Sequence, residues 1–69
     1  MDQPHVYEIV VEGLLTEAWR CWFEDLELTI QPGHRTQMWG ELSDQSALYG
    51  VLSRIHSLNL VLVSVRRVD

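Results

Sequence analysis

Hydrophobic and polar positions change period along this chain, and the clearest stretch lies in its second half. Leu48, Val51, Leu52 and Ile55 fall at i, i+3, i+4 and i+7, with Ala47 and Leu58 widening the stripe, which predicts an amphipathic helix with one buried face. Ser43 or Asp44 can accept a hydrogen bond from the unpaired N–H groups of the first turn, and Asp44 also complements the positive end of the helix dipole. At the other end Asn59 tolerates the left-handed conformation that stops a helix, and His56 sits where a cation is favoured. Leu60 to Val65 then reads as a strand. Both of its parities are apolar until Ser64, Arg66 and Arg67 mark its exit to water, and a strand apolar on both faces is usually covered on both.

The first half alternates with period two. In Val6–Glu12, Tyr7, Ile9 and Val11 share one face and Val6, Glu8, Val10 and Glu12 the other, which predicts a half-buried strand. Gly13 ends it. Thr16 can cap a short helix running from Glu17 to about Glu24, with Trp19, Trp22 and Phe23 at helical spacing. Leu26, Leu28 and Ile30 alternate with Glu27, Thr29 and Gln31 as a second strand. Pro32-Gly33 turns the chain. A third strand follows from about Arg35 to Glu41. A two-residue loop in this hairpin would put Trp39 on the face of Leu26 and Leu28; a three-residue loop puts Thr36, Met38, Gly40 and Leu42 there. We take the three-residue loop, which leaves Trp39 on the opposite face.

The resulting order, β-α-β-β-α-β, is the split βαβ or ferredoxin-like α+β arrangement: an antiparallel sheet of order 4-1-3-2 with two helices on one face. Its alternative reduces the first helix to an irregular turn and keeps one long helix. In this arrangement the face away from the helices carries Leu60 and Leu62 on the fourth strand, Val6 and Val10 on the first, and Trp39 on the third. Such a patch calls for a cover. A second copy, packed about a two-fold, is the simplest, with Glu8, Glu12, Gln37 and Arg66 as its rim.

The run Gly40-x-Leu42-x-Asp44-Gln45-x-Ala47-Leu48-x-Gly50-x-Leu52-x-Arg54-Ile55-x-x-Leu58-x-Leu60-x-Leu62-x-Ser64-Val65-Arg66, with Trp19-x-x-Trp22-Phe23 and a turn near Pro32-Gly33, resembles a family of short, uncharacterised bacterial proteins of about this whole length. The resemblance implies no activity and no cofactor. Asn59 stands where such a pattern usually has glycine, which leaves the helix stop intact.

Length and composition then narrow the functional classes. At 69 residues the chain is expected to form one domain, residues 1–69, and a domain so small buries only about 60% of the surface its unfolded chain exposes. A hydrophobic fraction of 46% argues against disorder. No apolar run approaches the roughly 18 residues of a membrane span, and the N-terminus lacks the features of a signal peptide. We therefore expect a cytoplasmic protein with no membrane partner. The net charge of −5 is concentrated: residues 1–32 hold seven acids and one arginine, residues 33–69 three acids and four arginines. Without a basic footprint, nucleic acid is not expected as a partner.

Candidate chemistry is sparse. Cys21 is the sole cysteine, so neither an internal disulfide nor a cysteine-based zinc site is available, and it reads as a core filler. His5, His34 and His56 have none of the paired spacings that put two metal ligands on one face. Glu8 and Glu12 share a strand face but have no apolar pocket to separate their proton affinities. Arg54, Arg66 and Arg67 read as a solvated edge, and Asp44-Gln45 as a helix start. Gly13–Thr16 lacks the C-x-x-C of small metal carriers of this topology, and of the aromatics an RNA-binding sheet needs, Trp39 alone could serve. The expectation is a non-catalytic interaction or regulatory module acting as a homo-oligomer, without cofactor, metal or catalytic residues. The alternative is a small enzyme or ligand-binding domain whose site forms at a subunit interface.

Overall fold

The computed structural model describes residues 4–15, 21–23 and 26–69. Five elements are set out along them: β1 (His5–Glu12), β2 (Glu27–Gln31), β3 (Arg35–Leu42), α1 (Gln45–Ser57) and β4 (Leu62–Arg67). The strands form one sheet of order β2-β3-β1-β4, every neighbouring pair antiparallel. This is the 4-1-3-2 order.

The two-helix ferredoxin-like expectation is overturned. Among the described residues the order is β-β-β-α-β, with α1 the one helix. Of the stretch expected to form the first helix, residues 16–20, 24 and 25 lie outside the described residues, and Cys21 and Trp22 form a 3₁₀ turn. Of Trp19, Trp22 and Phe23, expected at helical spacing, Trp19 lies outside the described residues, Phe23 is 1% exposed and Trp22 50%. A helix of barely two turns would also be weakly supported by its own hydrogen bonds.

What holds the first crossover is a set of separate anchors. Leu15, Phe23 and Leu26 enter the core beside Ile9, Val11, Met38, Leu42, Leu48, Val51 and Ile55. Thr36, fully buried on β3, fastens the start of the crossover: its hydroxyl accepts from the Leu15 N–H at 3.0 Å and donates to the Gly13 carbonyl at 2.8 Å. A hydroxyl in a buried row needs such partners.

The β2–β3 hairpin has a three-residue loop, Pro32-Gly33-His34, since Gln31 pairs with Arg35. Gly33 and His34 both take positive φ, 85° and 59°, and only the first does so without a Cβ penalty. The register sets Met38 beside Leu28 and buries it, while Trp39 points to the other face.

α1 begins where Asp44, in extended backbone, accepts a hydrogen bond from the Ala47 N–H at 2.8 Å. It ends in a Schellman motif: the Asn59 N–H donates to the His56 carbonyl, and the Leu60 N–H to the Ile55 carbonyl, both at 3.1 Å, with Asn59 at φ 58°. Its buried stripe is Leu48, Val51 and Ile55, with Leu52 only partly covered. Val63, on the strand expected to be covered on both of its apolar faces, is 38% exposed.

Candidate interaction surfaces

The sheet face away from α1 is set by the register. Val6, Glu8, Val10 and Glu12 of β1 lie opposite Glu41, Trp39, Gln37 and Arg35 of β3; on the flanks β2 adds Glu27, Thr29 and Gln31, and β4 adds Ser64 and Arg66. Polar side chains dominate and bond one another. The Glu8 carboxylate accepts from Gln37 Nε2 at 2.6 Å and from Arg66 Nη2 at 3.3 Å, and Glu12 meets Arg35 at 3.7 Å. Val10 is almost covered, at 7% exposed, between Gln37 and Ser64.

Of the five residues expected to form one apolar patch on this face, the register keeps Val6, Val10 and Trp39 there and removes two. Leu60 packs against the core, because a residue in its position of a Schellman motif makes a hydrophobic contact with the last helical turn. Leu62 pairs with Val11, whose side chain is in the core, because β4 carries a bulge: Ser64 pairs with Val10 and Leu62 with Val11, leaving Val63 extra. One extra residue reverses the parity of everything before it. The open face is therefore no continuous apolar patch; Trp39, 43% exposed, sits between Glu8 and Glu27.

Beside Trp39 lies a shallow hollow of about 230 Å³ lined by Glu8, Gln37, Trp39 and Val68. A carboxylate next to an indole face suits a cation. Here the chain supplies its own, since Arg66 already meets Glu8.

Unsatisfied apolar surface lies instead on and around β4. Every residue of this edge strand is exposed, including Leu62 at 45% and Val63 and Val65 at 38% each, and Val61 beside it is 62% exposed. Val65 pairs with Ile9 and Leu62 with Val11, so both belong by register to the helix-bearing face. The buried α1 stripe converges on Ile9, Val11 and Met38, the central strands, and leaves β4 bare.

The remaining candidates are dispersed. His5 Nδ1 lies 3.2 Å from the Asp69 carboxylate, His34 is in the hairpin loop and His56 in the last turn of α1. Arg54 donates to the Trp22 carbonyl, whereas Arg66 and Arg67 face Glu8 and Asp69. Cys21, read as a core filler, is exposed. Desolvation raises the Asp69 pKa, but hydrogen bonds from His5 and from the Val6 and Asp69 backbone N–H groups, with the His5 charge, outweigh it and hold the carboxyl below its ordinary value.

The extent of the sheet agrees with a family match. A family model described as Domain of unknown function (DUF8691) matches residues 6–66, from β1 into β4. The chain belongs to this family. No curated protein and no solved structure matches it. Within this DUF8691 domain, the described residues hold no group of three or more His, Cys, Asp or Glu placed for a metal ion, and no helix long and apolar enough to cross a membrane.

The residue that sequence reasoning missed is Thr36. Its signal was present: the three-residue loop puts it on the same parity as Met38, and a hydroxyl on that face requires partners. The β4 surface carried a signal too, a doubly apolar strand, but the covering that such strands usually have is missing here.

Proposed function

We propose that this domain is a non-catalytic interaction module that works as a homo-oligomer in the cytoplasm. One observation carries the reading: an edge strand, β4, presents Leu62, Val63 and Val65 to solvent beside Val61. Contiguous exposed apolar surface on a small domain marks a binding site. Burial of that surface would also add to a core too small to give a wide stability margin. Sedimentation velocity across the micromolar range tests it. The sedimentation coefficient is expected to rise with concentration and the rise to be absent in Leu62→Glu; a parent that stays monomeric at high micromolar concentration overturns the proposal.

A further inference from the structure

We infer that the second copy adds to the first by antiparallel pairing of β4 with β4 about a two-fold axis at Val65, joining two four-stranded sheets into one of eight. This rests on the reading of the domain as self-associating and names the surface and the register.

The backbone gives the geometry. The Val68 N–H donates to the Val6 carbonyl at 2.9 Å, while Tyr7 pairs with Arg67. In an antiparallel ladder that pattern makes Tyr7 and Arg67 a pair whose own backbone groups do not bond each other. The N–H and C=O of Arg67, and those of Val65 two residues earlier, consequently point off the edge of the sheet. They are donors and acceptors on the same residues, so an antiparallel copy of the strand satisfies both.

The side chains choose among the registers. Downstream of the bulge, two-fold pairing that joins these outward groups can centre on Ser64, Val65, Arg66 or Arg67. Centring on Ser64 sets Val65 against Val63, the extra residue of the bulge, and Arg67 against Val61, whose carbonyl already accepts from the Glu12 N–H at 2.9 Å. Centring on Arg66 or Arg67 sets guanidinium directly against guanidinium, which is destabilising in a cross-strand pair. Centring on Val65 sets Arg66 opposite Ser64 and Arg67 opposite Val63 of the second copy. Arg66 also keeps Glu8 beside it, at 3.3 Å. On the helix-bearing face Ile9 and Val65 of one copy then continue into Val65 and Ile9 of the other, an apolar row across the axis. The opposite edge fits less well: β2 is five residues long and carries Glu27 and Gln31 at its ends. A β4-to-β2 contact would also be heterologous and would propagate instead of closing.

Val65→Pro tests the register because it removes an N–H that points off the edge and leaves the bonds to β1 in place. Val65→Lys sets like charges on the axis and spares the backbone. The third readout is amide hydrogen exchange of the parent at low and high micromolar concentration. Expected are an associating parent, folded and monomeric Val65→Pro and Val65→Lys proteins, and concentration-dependent protection at the Val65 and Arg67 amides. A parent that associates while both variants also associate, or while those two amides stay unprotected, overturns β4 pairing and leaves self-association standing. A parent monomeric throughout overturns both. Should Val65→Pro unfold, Val65→Lys and the amides decide.

Discussion

Replacing Thr36 by valine separates two views of what holds the first crossover. Valine has nearly the same shape, is more apolar and favours strands, so burial alone expects a gain. The structure expects a loss. Thr36 is 0% exposed, and its hydroxyl is the partner of the buried Leu15 N–H and of the Gly13 carbonyl. Leaving a buried donor without a partner costs about 1–3 kcal/mol; the Gly13 carbonyl is only part-buried and adds less, since water can reach it. In a domain of this size each kcal/mol moves the melting temperature by roughly 4–8 °C, so Thr36→Val, at about 1–3 kcal/mol, is expected to melt about 4–24 °C below the parent. Thr36→Ser keeps both hydrogen bonds and loses one methyl, about 0.5–1.5 kcal/mol by analogy with Ile→Val. Thermal melts followed by circular dichroism, with urea titrations to check that the slope is unchanged, give both numbers. A Thr36→Val protein as stable as the parent, or more stable, would refute the hydroxyl's role.

Three further outcomes follow from the core, the helix stop and the C-terminal tail. Ile55→Ala, at a position 2% exposed, is expected to cost about 2–5 kcal/mol, and Leu52→Ala clearly less because Leu52 is only partly covered; denaturant titration ranks them, and the reverse order would displace Ile55 from the centre of the core. Asn59→Gly is expected to be neutral or mildly stabilising, since Asn59 has φ 58°, whereas Asn59→Val should lose roughly 1–2 kcal/mol; equal melting temperatures would refute the Schellman stop. For Asp69 the folded pKa is depressed, so its stabilising contribution is present above the ordinary carboxylate range and is lost as pH falls through the lowered value. The Val68 amide, bonded to the Val6 carbonyl, should become less protected in that acid range in the parent and show no such step in Asp69→Asn.

What could be read from the sequence was what local chemistry specifies. Asp44 and Asn59 bound α1 because a side-chain acceptor and a tolerated positive φ are properties of single residues. Pro32-Gly33 and parity together placed Met38 inside and Trp39 outside. The strand order followed from the chain's connectivity. Of the stretch expected to form the first helix only Cys21, Trp22 and Phe23 are described, and of the two aromatic residues there Phe23 alone is buried. The surface was misjudged for a subtler reason: the bulge opposite Val10 and Val11 adds one residue to β4, and nothing in Leu60–Val65 distinguishes a bulged strand from a regular one. Leu60 and Leu62 therefore changed faces, and the polar ties among Glu8, Gln37 and Arg66 emerged only with the register.

The position of β1 has a consequence in time. Of the four described strands the first to be made, β1, is an inner strand of the finished sheet, flanked by β3 and by β4, the last of the four to be made. While the chain is being synthesised, β1 has neither neighbour until Arg35–Leu42 emerges, and one of its edges stays bare until Leu62–Arg67 follows. Pairings as distant as Tyr7 with Arg67 must close long loops before they return any stabilisation, which slows folding. The nascent chain thus carries an exposed Ile9-Val10-Val11 run until β3 and then β4 have followed, and a ribosome stalled before Leu62 would hold a sheet open at the strand on which the rest is built.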